Sequence, residues 1–214
     1  PGVLTSELQA EIASRKEELK ALFQDPAAAK PPIRAISRAD TAPVSFGQQR
    51  LWFLHQFDPS PAYNLAQSLR FRGPLDIAAL ERSVEGIVER HEVLRTTYRV
   101  ESGLPVQVVA PPGAVTLAVE EVTGATDAAR EADLLRQLRK AMLAPFDLAK
   151  GPLFEARVFR LGHDHHVLLL RMHHIASDGW SMGILFHELA SLSVGFVSGK
   201  PVSLPPLSVQ YADF

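Results

Sequence analysis

The sequence predicts an α/β fold, a two-layer sandwich with a mostly antiparallel or mixed sheet, on three observations. From residue 45 onward, segments with helical hydrophobic spacing alternate with short segments of strand spacing. Residues 165–172, HHVLLLRM, are apolar enough to form a central strand buried on both faces. Residues 162–164, GHD, supply a tight turn between LFEARVFRL and that strand, which makes the two an antiparallel hairpin. Helices alternating with such strands bury their apolar faces by layering.

The elements follow in order. Ser6 with Gln9 reads as a capping box for an amphipathic helix reaching about Gln24, with Leu8, Ile12, Leu19, Leu22 and Phe23 on one face and Glu11–Arg15 as a favourable i,i+4 pair. Residues 25–43 hold four prolines among alanines and read as an extended linker, so the chain divides into 1–24, 25–43 and a main lobe, 44–214. In that lobe Ser45 and Gln48 form a second capping box, opening a short helix that carries Leu51, Trp52 and Leu54. LAQSLRFRG alternates as a strand, and Asp76 caps a helix with Ile77, Leu80, Val84, Ile87 and Val88 inward. LRTTYRV, PVQVVA and VTLAVEEV read as strands, and residues 126–144 as a helix burying Leu134, Leu135 and Leu138. The hairpin 153–172 and a helix after Ser181 complete the pattern, and no internal repeat occurs.

Composition sets limits. With 214 residues, 46% hydrophobic and 21% charged, there is material for one core plus an extension. A net charge of −2 gives no electrostatic reason to expect nucleic acid or an anionic membrane. There is no cysteine, hence no disulfide and no thiol nucleophile. No apolar run is read as approaching the ~20 residues of a membrane span. The first residues, PGVLTSELQ, lack a signal peptide's apolar core, so a cytoplasmic location is the expectation.

Chemistry concentrates in residues 172–181, MHHIASDGWS, where a rigid strand ends. Successive strand residues face opposite sides, so one of His173 and His174 faces a cavity and the other the core. An imidazole titrates near neutrality and suits proton exchange with an amine or hydroxyl nucleophile. Asp178-Gly179 turns the chain, and Ser181 is a candidate N-cap for the helix MGILFHELASLSVG. Asp178 either shares the proton or fixes the loop by pairing with a buried arginine. A metal site built from His163, His165, His166 and His187 is the rival reading. It is disfavoured because 162–164 reads as a turn, with solvated histidines around it, and no cysteine completes a soft site.

Four segments carry a family resemblance. MHHIASDGWS resembles the HHxxxDG signature of the condensation domains of non-ribosomal peptide synthetases, within the chloramphenicol acetyltransferase-like superfamily. SFGQQRLWFL, 45–54, is similar to the family's first motif, SxAQxRLWxL, with Gly47 in place of alanine. RHEVLRTTY, 90–98, resembles the second, RHExLRTxF, with Tyr98 in place of phenylalanine, and YADF, 211–214, resembles the start of the fourth.

The resemblance implies that 44–214 is the N-terminal lobe of a condensation domain, with the C-terminal lobe absent and the 214 residues inactive alone. It implies amide formation between a carrier-bound acyl or peptidyl thioester and a carrier-bound aminoacyl amine, with no cofactor bound directly. The phosphopantetheine arms of donor and acceptor carrier proteins bring the substrates. His174 is then the catalytic histidine and His173 structural. Asp178 joins His174 in the catalytic set and is held by pairing with Arg90, or failing that Arg95. Gly179 leaves room for the thioester end, and Gly179, Trp180 and Ser181 form the substrate-binding set, with core ranked ahead of substrate wall for Trp180. The condensation-domain resemblance also implies an adenylation domain downstream, and the N-terminal segment resembles the last helix of β-hairpin docking domains, implying an upstream synthase subunit as partner. Two rival functions stand beside this: a non-catalytic docking or scaffold module, and a small acyl-CoA-dependent acetyltransferase.

Overall fold

The structure, a computed structural model, describes residues 5–24, 33–37, 41–200 and 202–214. The chain separates into two units, residues 1–34 and 35–214.

The first unit holds α1 (Ser6–Ser14) and α2 (Lys16–Gln24), where the sequence led us to expect one helix. Thr5, not Ser6, is the N-cap, its hydroxyl accepting from Leu8 N at 3.3 Å. The break falls at Arg15, the C-cap of α1, whose N–H still donates to Glu11 O at 3.0 Å while the Ser14 hydroxyl donates to the same carbonyl at 2.9 Å. Leu8 and Ile12 are both exposed. The side chains of Leu19, Leu22 and Phe23 lie outside the described residues, as do 25–32 and 38–40 of the proline-rich segment.

The second unit runs β1 (Ala42–Pro43), α3 (Phe46–Phe57), β2 (Asn64–Arg72), α4 (Ile77–Arg90), β3 (Thr96–Glu101), β4 (Leu104–Val109), β5 (Ala118–Glu121), α5 (Asp127–Met142), β6 (Phe154–Gly162), β7 (His165–His173) and α6 (Gly179–Ser198). Single 3₁₀ turns occupy Pro61–Tyr63, Glu92–Arg95 and Tyr211–Asp213. The main sheet has the order β2-β7-β6-β5. Its first two pairings are antiparallel and β5 joins β6 in parallel, so the sheet is mixed. Strands β1, β4 and β3 form a separate antiparallel sheet.

Strand β7 is the centre of the lobe. Leu168, Leu170 and Met172 point to one face and meet Leu80, Val84 and Ile87 of α4 and Met182, Leu185 and Leu189 of α6. Val167 and Leu169 point to the other face and meet Leu134 and Ala141 of α5. Leu168, Leu169 and Leu170 are wholly buried, and each contributes about 2 kcal/mol from apolar burial. His166 joins them at 3% exposure, correcting its expected place among solvated hairpin residues; His163, by contrast, is exposed in the turn.

Helix α6 also corrects the reading of the sequence. Its 20 residues include an 18-residue stretch of mean hydropathy 1.3, long and apolar enough to cross a membrane by length and composition. It packs on the sheet through Met182, Leu185 and Leu189 and carries a buried, ion-paired Glu188, with 28% of that stretch buried.

Candidate functional site

The site forms where β7 gives way to α6. The strand end is pinned from both sides: His173 N donates to Leu153 O at 3.0 Å, and His174 N donates to Tyr63 O at 2.8 Å. The two imidazoles diverge from this fixed point. His173 is 1% exposed, edge-on to His55 and Phe146, with Tyr63 tilted beside it. Its Nδ1 accepts from Ile175 N at 3.1 Å, so the ring proton sits on Nε2. Burial pushes its pKa down to about 4, with His55 and His174 adding to the effect. His173 is therefore neutral at physiological pH.

His174 is exposed, and its Nδ1 lies 2.7 Å from Ser177 O. A carbonyl only accepts, so Nδ1 carries a proton, and in the neutral ring Nε2 is left with a lone pair. The ring is thus held by one bond to its own loop, with the basic nitrogen free.

Asp178 pairs with neither arginine, and it is exposed rather than buried. It is the N-cap of α6: Oδ1 accepts from Ser181 N at 2.8 Å and from the Ser181 hydroxyl at 2.7 Å. These two bonds, the backbone one first, hold its carboxyl below the usual carboxylate range. Ser181 is accordingly the third residue of the helix and not its cap. Gly179 opens the helix, and a Cβ there meets nothing within 4 Å. Trp180 is 82% exposed, so its expected place in the core is wrong.

Arg90 and Arg95 are engaged elsewhere. Arg90 Nε donates to Glu188 Oε1 at 3.0 Å and its Nη2 to Pro205 O at 2.6 Å. Arg95 Nη1 donates to Ala110 O, and its Nη2 stands 3.9 Å from Glu92 Oε1. The carboxylate that needs a cation is Glu188, buried in mid-helix and also bonded by His91 Nε2 at 2.6 Å. Sequence reasoning missed Glu188, although a signal exists: it falls between Leu185 and Leu189 on the inward stripe of α6, where a carboxylate requires a fixed partner.

The first motif builds the opposite wall. The Ser45–Gln48 capping box forms, and Gln48 Nε2 also donates to Tyr98 OH at 2.9 Å and to Gln107 Oε1 at 3.0 Å. Burial pushes the Tyr98 phenol well above its ordinary pKa. At Gly47 a Cβ meets only Ser45 Oγ, at 3.8 Å, an ordinary contact that leaves room for the alanine usual in the motif.

These elements enclose a cavity of about 520 Å³. Its wall includes His174, Ser181, His91, Gln48, Tyr63 and Ile184, and Asp178 stands at it; Gly179 and Trp180 are not part of the wall. The arrangement offers an oriented imidazole lone pair beside apolar surface, able to accept a hydrogen bond or a proton from a nucleophile.

Comparison with known proteins fits this geometry. Residues 38–214 match the family described as Condensation domain. A linear gramicidin synthase of Brevibacillus parabrevis is 41% identical over 222 residues, which is 95% of this chain and 4% of that protein. The X-domain of teicoplanin biosynthesis, solved in complex with OxyB, superimposes with a TM-score of 0.77 at 31% identity, over 86% of this chain and 39% of that one. The first condensation domain of the CDA synthetase superimposes at 0.70 with 25% identity, over 78% of this chain and 43% of that one. The chain thus spans a small part of the gramicidin synthase and about two fifths of each solved chain. With the strand, the paired histidines and the capped helix placed as described, and the match running through nearly all of the second unit, the chain belongs to the condensation-domain family and carries its chloramphenicol acetyltransferase-like fold.

Proposed function

We propose that this lobe serves amide-bond formation in non-ribosomal peptide biosynthesis. The amine of one carrier-bound aminoacyl group attacks the thioester carbonyl of an acyl or peptidyl group on a second carrier. The observation that carries the reading is His174: a ring lining the cavity, fixed through Nδ1, with Nε2 free as an acceptor. A free α-amine has a pKa of about 7.7 to 8.0, so much of the nucleophile is neutral before any base acts. Orientation of the amine by Nε2 is then worth at least as much as proton removal. Asp178 supports this indirectly by fixing the start of α6, and His173 by filling the core beneath the loop. Ser181 borders the substrate. The phosphopantetheine arms of donor and acceptor carriers deliver it, and a C-terminal lobe closes the cavity. On this reading residues 44–214 form no amide alone, residues 1–24 dock an upstream synthase, an adenylation domain follows downstream, and the assembly works in the cytoplasm.

The test is amide formation by the full-length protein with two loaded carriers. His174→Ala is expected to lower turnover about 10²-fold or more with little change in melting temperature; wild-type turnover by this variant overturns the assignment. A second reading, a binding module without chemistry, draws on the X-domain, a 31% identical relative solved in complex with OxyB. It predicts no amide product from the wild-type protein and unchanged behaviour of His174→Ala.

A further inference from the structure

His174 is one of two imidazoles on the cavity wall; the other is His91. His91 follows α4, where its N–H donates to Ile87 O and its carbonyl accepts from Leu94 N, both at 3.0 Å. Its ring is aimed as firmly as its backbone. Nε2 lies 2.6 Å from Glu188 Oε2, and because a carboxylate only accepts, Nε2 carries a proton in that bond. Nδ1 is left as the ring's remaining polar atom, on a side chain that keeps 21% exposure. The support continues outward: Glu188 Oε1 accepts from Arg90 Nε at 3.0 Å, and Arg90 O accepts from Gln210 Nε2 at 2.9 Å.

Neutralising Glu188 does not require this imidazole. Arg90 already balances that charge one for one, while the bond from His91 satisfies the second carboxylate oxygen and in doing so fixes the ring. What His91 adds is a polar atom already oriented, so that little ordering entropy remains for a ligand to lose on binding.

We infer that His91 is a second substrate-contacting residue of the cavity, its Nδ1 accepting a hydrogen bond from an amide N–H of the pantetheine arm that brings the thioester to His174. The inference rests on the condensation reading for the identity of the arm. The contact falls on a part of the substrate that does not react, so it is equally strong in the ground state and the transition state.

Two measurements test it. In the full-length protein with two loaded carriers, His91→Ala should raise KM for a loaded carrier about five- to tenfold, the worth of one hydrogen bond, with kcat within about twofold. His91→Asn, whose Oδ1 falls near the position of Nδ1, should recover most of that loss. An unchanged KM with a lowered melting temperature shows that the ring only braces α6 and overturns the inference. The second measurement needs no turnover: synthetic S-acyl-pantetheine is titrated into the full-length protein while the ring resonances of isotopically labelled histidine are followed. A shift of the His91 resonance, with binding weakened by the same factor in His91→Ala, supports the contact. If the wild type makes no amide but the probe shifts His91, the condensation reading fails and the contact stands. If the wild type makes amide and the probe leaves His91 unmoved, the contact fails and the condensation reading stands.

Discussion

Asp178 at the start of α6 and Glu188 in its middle are carboxylates on one helix, held in different ways. Asp178 is exposed and takes the backbone N–H and hydroxyl of Ser181, so the helix terminus itself stabilises its charge. Glu188 is 7% exposed and has no helix end to serve it, so it takes Arg90 on one oxygen and His91 on the other. Between these two the rule is burial and not membership of the signature motif: the buried carboxylate is the one held by a cation.

The largest expected effect tests that rule. Glu188→Ala leaves Arg90 with a half-buried charge facing no counterion, and denaturation should show a loss of about 3 to 5 kcal/mol. A double-mutant cycle between Glu188 and Arg90 should give a coupling above about 1 kcal/mol, whereas the cycle between Asp178 and Arg90 should be additive within about 0.5 kcal/mol. Coupling of Asp178 to Arg90 breaks the comparison outright.

The Asp178 error shows where the sequence stops being legible. Period and capping signals are local, so the helix over 127–142, the Ser45–Gln48 box and the hairpin of β6 and β7 could all be read from spacing. The partner of an arginine is a three-dimensional fact. Arg90 and Glu188 are separated by 98 positions, and only the packing of α4 on α6 brings them together. Trp180 failed for a related reason: aromatic character argued for the core, but its position in the first turn of α6 points it to solvent. The separate β1-β4-β3 sheet was hidden because strand period does not say which strands pair.

His173 meets burial in a third way, by staying uncharged. Its pKa is about 4 in the folded chain, against an ordinary value of 6.5. Between those values the unfolded chain binds more protons, so stability present above about pH 6.5 is lost as pH falls through the window and levels off below about pH 4. The expected loss from this residue is about 3 kcal/mol. His55 and His166, both pushed down chiefly by burial, act in the same direction. His173→Phe should flatten the acid limb of the stability profile; an unchanged limb shows that other groups dominate it.

Asp178→Ala comes next in size, at about 1 kcal/mol, the usual worth of an N-cap. Asp178→Asn keeps an acceptor for Ser181 N and should recover most of that stability. If Asp178→Ala instead costs as much as Glu188→Ala, the exposed carboxylate is doing more than capping, and the contrast between the two carboxylates collapses.

The smallest expected effect concerns Tyr98, a neutral counterpart of Glu188. Its phenol is 1% exposed and is held by Gln48 Nε2 at 2.9 Å without any counterion. Tyr98→Phe removes one acceptor, but Gln48 Nε2 keeps Gln107 Oε1 at 3.0 Å, so the donor is not orphaned and the cost should be about 0.5 to 1 kcal/mol. The phenol can also be watched directly. Because burial raises its pKa well above the ordinary value, one of the three tyrosines should fail to ionise while the protein stays folded, and should do so only as it unfolds. That missing fraction of phenolate absorbance should vanish in Tyr98→Phe. If all three tyrosines ionise reversibly in the native protein, the wall built by Gln48 is open to solvent, and buried neutral groups in this lobe are no better protected than Asp178 at its surface.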